Sequence, residues 1–218
     1  MRVYAEYFEE NNLKFRTNTI LQFGNSWDLI GNIVLANPGS AEPIKKLDKE
    51  SENNLIQFYQ QYKKANDFKI EKWYEFAPDQ TMHRIKKIFN GEYIGMVSEL
   101  NGIIQLFNTF NIKNQYLEEA IKLTDIDSSQ LFSIGIEKYF CDKPTYFGFS
   151  KEVLEKESLK QVAKNIFDNS SDIVKTIYNP CFEDNKFYHP TYINRAVNQT
   201  HFQWYKNDVL KKLKESVR

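Results

Sequence analysis

Three side chains in this sequence have the chemistry to act on a planar ligand and stand where strands end: Asn37, Asn108 and His189. An asparagine is a poor base, but its amide can position a water or accept a hydrogen bond without carrying charge. Asn108 offers one acceptor and two donors in a plane, a fit to the edge of an amide or a nucleobase. His189 can donate a proton or a hydrogen bond to a developing oxyanion. Each also has a structural use, since asparagine caps turns at strand ends and a histidine before proline often only shapes the chain.

The stretch that must position Asn37 is 31–43, GNIVLANPGSAEP. Ile33, Val34 and Leu35 form an unbroken apolar row, the pattern of a strand buried on both faces. Pro38 cannot donate to a sheet ladder and Gly39 tolerates positive φ, so the chain turns directly after Asn37. Ser40 is then placed to cap a helix whose first turn holds Glu42, where an acid suits the dipole. Asn37 thereby sits at the carboxyl end of a central strand, the edge at which open α/β sheets bind ligands.

The remaining elements follow from periodicity. Residues 1–30 read as a β-rich lead-in in which 13–23 forms an edge strand or hairpin. Helices are expected at 53–62, 81–89, 117–123, 128–140, 152–167 and 202–214, and 69–76 is ambiguous. Further strands are expected at 102–107, which ends at Asn108, at 144–149 and at 172–178. Alternating strands and helices predict an α/β fold: a three-layer α/β/α sandwich around a mostly parallel four-stranded sheet. No linker divides the 218 residues, so 1–218 reads as one domain.

Composition narrows the classes of function. The 29 basic residues balance 29 acidic ones, so net charge does not announce a nucleic-acid binder. Local basic clusters occur at Arg84, Lys86 and Lys87 and between Arg195 and Arg218, where, for each taken alone, a solvated helix face is a better explanation than a phosphate-facing surface. Aromatic residues reach 15%, enough to fill a bulky core and leave some to stack on a ligand. Cys141 and Cys181 lack metal-site spacing, and no apolar run reaches the ~20 residues of a membrane helix. A reduced cytoplasmic protein without membrane contact is the expectation.

Taken together, these motifs resemble the uracil-DNA glycosylase superfamily. Ala36-Asn37-Pro38-Gly39, with Ser40-Ala41 behind it, looks like the first motif of the mismatch-specific uracil and thymine DNA glycosylases. Leu106-Phe107-Asn108-Thr109 is similar to the segment whose asparagine reads the extruded base. His189-Pro190-Thr191 resembles the second motif, His-Pro-Ser, and Tyr192-Ile193-Asn194-Arg195 follows where that family places its wedge loop. The likeness runs in order from Gly31 onward. The chain also resembles an uncharacterised family of the same superfold, marked by Asn-Pro-Ser-Thr-Ala, with Asp79-Gln80-Thr81 and Arg84 similar to that family's Asp-Pro-Thr and Arg.

The resemblance implies a monofunctional DNA glycosylase that needs no metal or cofactor, acts on DNA as a monomer and flips a nucleotide out of the stack. It implies that Asn37 orients the attacking water and that His189 stabilises the departing base. Asn108, Phe107 and Gly39 would then form the base pocket, with Phe110 and Tyr188 as further stacking candidates. Backbone amides of two loops, one running from Pro38 through Ser40 to Ala41 and the other Pro190 to Thr191, would pinch the phosphates, the N–H groups coming from the non-proline residues. Tyr192 or Ile193 would fill the vacated gap, and Arg195 would hold a phosphate or the orphan base. Two departures matter: the fast uracil enzymes carry Asp at the place of Asn37, and a Tyr that blocks pyrimidine C5 where this chain has Gly39. An open side there implies 5-substituted pyrimidines, up to bulky modified cytosines such as glucosylated hydroxymethylcytosine in phage DNA, and a role in anti-phage defence. The rival expectation is a non-catalytic module that holds a nucleotide, a modified base or a protein partner on the same fold.

Overall fold

The computed structural model describes residues 1–62, 68–124 and 129–217. The first two strands, β1 (Arg2–Glu10) and β2 (Leu13–Phe23), form an antiparallel hairpin. Its turn sets Asn11 and Asn12 at φ 51° and 62°, a primed geometry that asparagine tolerates and that matches strand twist. Three strands then run parallel: β3 (Leu29–Leu35), β6 (Gly102–Asn108) and β7 (Thr145–Phe147). Two short strands, β4 (Pro43–Lys46) and β5 (Trp73–Phe76), extend the antiparallel side, giving the order β4-β5-β1-β2-β6-β3-β7.

The sheet is therefore seven-stranded and mixed, where a mostly parallel four-stranded sheet was expected. The 1–30 segment is half of its centre and not a lead-in. Residues 13–23 do form a hairpin arm, but β2 lies between β1 and β6, pairing Thr19 with Leu106, and is no edge. It joins the antiparallel half of the sheet to the parallel half.

Side chains alternate across the sheet, as the pleat requires. Val3, Leu21, Leu35 and Leu106 face one core with α2 (Gln80–Phe89), α6 (Pro190–Ala196) and the carboxyl-terminal helix. That last helix runs through α7 (Gln203–Tyr205), a π-helical turn at Lys206–Leu210 and α8 (Lys211–Ser216). On the opposite face, Tyr4, Ile20 and Ile103 pack under α1 (Lys49–Tyr62), and Val34, Phe107 and Phe147 pack under α5 (Glu157–Asp168). A polar network is sealed between the parallel strands. Asn32 Nδ2 donates to the Phe140 carbonyl at 3.0 Å and to Thr145 Oγ1 at 3.1 Å, while Gln105 Nε2 donates to Asn32 Oδ1 at 2.9 Å.

Four expected elements differ. Segment 172–178 makes turns, with Tyr178 N–H bonding the Lys175 carbonyl at 2.8 Å; its buried residues Val174 and Ile177 recur every three positions, a helical rather than a strand period. Within 128–140, Ser128 lies outside the described residues. The rest is no long helix: Phe132 bridges to Phe110, Gly135 turns at φ +72°, only Ile136–Tyr139 coil, and Ile134 is 83% exposed. No helix follows Ser40, because Glu42 precedes Pro43, which biases it away from helix, and β4 begins there; Glu42 instead pairs with Lys113. The 152–167 helix is two, α4 (Lys151–Glu155) and α5, broken where Lys156 turns extended at ψ 113°.

Candidate functional site

The carboxyl ends of β3, β6 and β7 open into a cleft of about 890 Å³. Asn37 enters it one residue past Ala36, whose carbonyl still accepts from Phe110 N–H at 3.1 Å. Its Nδ2 donates to the Asn114 carbonyl at 2.9 Å and to the Ile112 carbonyl at 3.4 Å. With both amide hydrogens committed to backbone, the orientation is fixed and Oδ1 is presented as an acceptor. Such an oxygen can hold a water but cannot take its proton.

Asn108 ends β6 opposite Leu35 and is buried, yet its Oδ1 meets no donor among the described residues. A buried amide oxygen without a partner costs stability, and a ligand N–H would satisfy it. Its chain neighbour Phe107 points through the sheet to the other face and packs on Phe140 at 5.6 Å, away from the cleft. Phe110 is likewise in that second core.

His189 caps α6, its Nδ1 accepting from Thr191 N–H at 3.3 Å. That bond places the ring proton on Nε2. Burial, aided by the nearby Arg84 cation, lowers its pKa to about 4, so the ring is neutral at physiological pH and a hydrogen-bond donor rather than an acid. Arg84 itself is not part of a loose basic surface: its Nη1 donates to Thr191 Oγ1 at 2.8 Å and ties α2 to the His189-Pro190-Thr191 turn. From the other side, Tyr146 Oη donates to the Tyr188 carbonyl at 2.6 Å and anchors the same turn to β7.

Of the residues singled out in the sequence, Asn37, Pro38, Gly39, Asn108, His189, Thr191, Tyr192 and Arg195 all line this cleft. Ser40, Ala41, Pro190, Phe107 and Ile193 do not. Ile193 is wholly buried against the core, whereas Tyr192 is 43% exposed and stacks on Tyr188 with centroids 4.9 Å apart, so Tyr192 is the residue of the pair able to reach a partner. Gly39 adopts φ +69°, and a Cβ there would meet only Asp79 Oδ2 at 3.7 Å. The space above it is open apart from that carboxylate, whose Oδ1 caps α2 through Met82 N–H at 2.9 Å.

Two groups at the site escaped the sequence reading. The first is Arg16, a buried cation in β2 whose Nη2 donates to the Pro38 carbonyl and so holds the Asn37-Pro38-Gly39 turn from behind. No local pattern marks it, because a lone Arg among Lys14, Thr17 and Asn18 looks solvated. The second is the β7 exit, Phe149 to Glu152, which also lines the cleft; the strand-end argument applied to Asn37 and Asn108 would have found it. Among the described residues no group of three or more His, Cys, Asp or Glu side chains could hold a metal, and no helix is long and apolar enough to cross a membrane. Compared with known proteins, the chain matches no family model, no curated protein and no solved structure.

Proposed function

We propose that this chain is a monofunctional DNA glycosylase with a uracil-DNA glycosylase-like three-layer arrangement, and that it excises a pyrimidine substituted at C5, a bulky modified cytosine before plain uracil. The observation that carries the reading is the convergence of Asn37, Asn108 and a neutral His189 on one cleft at the carboxyl ends of parallel strands. In this reading the base enters the cleft and Asn108 meets its polar edge. The glycosidic bond lengthens, positive charge builds on the sugar and negative charge on the base. His189, neutral and donating from Nε2, stabilises the anion without having to give up a proton. Asn37 Oδ1 holds a water against C1′; as the C–O bond forms and the C–N bond breaks, the water's proton passes to solvent. An uncharged acceptor activates water weakly, which suits a base that leaves as a stabilised anion.

The C5 preference rests on Gly39, beside which only the Asp79 carboxylate comes near. A hydroxylated substituent would find an acceptor there, and a bare hydrogen at C5 would leave the space unfilled. A second reading, a non-catalytic nucleotide-binding module, is favoured by the cleft's mixed charge, in which Asp79, Glu152 and Glu155 sit among the basic groups.

Oligonucleotides carrying uracil, thymine mismatches, hydroxymethylcytosine or its glucosylated form, incubated with the protein and then treated with alkali, separate the two. Strand breaks with a modified cytosine, reduced by about 10²-fold or more in Asn37→Ala, are the expected result. Binding without breaks on every substrate would move the assignment to the module.

A further inference from the structure

The chemistry assigned to Asn37, Asn108 and His189 leaves the guanidinium of Arg16 without a task beyond its tether. It is 2% exposed and lines the cleft, yet Nε and Nη1 have no partner among the described residues. A guanidinium carries five N–H donors, and the Pro38 carbonyl takes one, from Nη2. Nη2 shares one two-pronged edge with Nε and the other with Nη1. Whichever hydrogen the carbonyl takes, one complete edge stays free.

No carboxylate is within ion-pair distance of Arg16 among the described residues; Asp79 and Glu42 act on it only through space, and burial draws its pKa down to about 10. Phe76 covers one side, 5.5 Å from the guanidinium carbon. A buried cation lacking a paired anion is costly, and the cost is relieved when a ligand supplies the charge.

We propose that Arg16 is the floor of an oxyanion subsite in the cleft, gripping a two-oxygen group of the ligand, phosphate or carboxylate, through its free edge. The subsite lies on the Pro38-Gly39 side, since the Pro38 carbonyl is its tether. It does not depend on base excision: a nucleotide phosphate would dock there in a binding module as well, and a carboxylate would be one carried on a modified base.

The test is calorimetric and thermal-shift titration of the full chain with inorganic phosphate, acetate, deoxycytidine and deoxycytidine 5′-monophosphate, using the parent, Arg16→Lys and Arg16→Met. Phosphate or acetate should raise the melting temperature of the parent, and whichever does so names the source of the oxygens. If it is phosphate, the monophosphate should bind more tightly than the nucleoside. Arg16→Met should lose the anion response, and Arg16→Lys, a point charge without a planar edge, should bind about tenfold more weakly. Parent protein unmoved by both anions would overturn the proposal, as would Arg16→Met responding like the parent. Should Arg16→Met not fold, an Arg16→Lys variant with undiminished anion affinity overturns it equally. Asn37→Ala, which tests excision, should leave anion binding intact, so the two proposals fail separately.

Discussion

At the scale of single residues the site is governed by which polar atoms the protein leaves unpaired. Asn37 spends both amide hydrogens on backbone carbonyls, and His189 spends Nδ1 on its own helix cap. The histidine makes a prediction about pH. Its pKa falls from 6.5 to about 4 on folding because the charged ring is poorly solvated and faces Arg84. Between those values the unfolded chain binds a proton that the folded chain does not, so stability rises with pH across this window and is lost as pH falls from 6.5 toward 4. The effect should be on the order of 2 kcal/mol, given that solvent reaches part of the ring. The urea midpoint of the parent relative to that of His189→Gln, measured from pH 4 to 7.5, should fall as pH drops from 6.5 toward 4 and hold steady above 6.5. A constant difference would mean that His189 titrates normally. The types and order of Asn37, Asn108 and His189 were legible in the chain, because proline turns follow Asn37 and His189 and an apolar strand pattern stops at Asn108. Arg16 was not, because its meaning comes from a carbonyl 22 positions away.

At the scale of elements, the cleft depends on three parallel strands keeping register, and the buried amide network between them does this work. Asn32 ties β3 to Thr145 on β7 and, through Gln105, to β6, and it also holds the Phe140 carbonyl that leads into β7. Replacing it by leucine keeps the volume and removes the amide, leaving the Phe140 carbonyl without its side-chain donor and Gln105 Nε2 with only the Tyr139 carbonyl. The expected cost is about 2 kcal/mol, read as a lower urea midpoint at unchanged m value. An unchanged midpoint would show that strand pairing alone holds the register. Periodicity announced β3, β6 and β7, since strands buried on both faces are continuous apolar rows. It misread 172–178, where apolar residues at 173, 174, 177 and 178 fit helical turns as well as a strand. It also undervalued β1 and β2, because membership of a sheet centre is a property of long-range pairing, which local pattern does not carry.

At the scale of the whole molecule, zero net charge conceals how little free positive charge faces the cleft. The carboxyl-terminal cluster, a candidate phosphate surface from sequence, is partly neutralised: Lys212 pairs with Asp208 at 2.5 Å and Lys211 with Glu215 at 4.0 Å, while Lys214 donates to the Ser98 hydroxyl and keeps its charge. Lys87 pairs with Glu92 at 2.7 Å, and Arg84 is bound to Thr191. Along the cleft itself Lys151 pairs with Glu155 at 3.5 Å, which leaves Lys186, 5.5 Å over the Trp204 ring, and Arg195 as exposed cations without a carboxylate partner among the described residues. If this face meets duplex DNA, about two phosphates are neutralised, and counterion release then sets the slope of log K against log salt near −2, shallow for a DNA-binding protein. Arg195→Ala should weaken binding by a similar factor on every sequence and reduce the slope by about 0.9, whereas Lys212→Ala should change neither. Fluorescence anisotropy across a salt series reads both quantities. A steep slope that Arg195→Ala leaves unchanged would place the DNA on another face. With so little long-range attraction, a chain acting as proposed would have to discriminate between substrates in the interior of the cleft, where Asn108, Gly39 and Arg16 would meet an extruded nucleotide, rather than along the track by which it arrives.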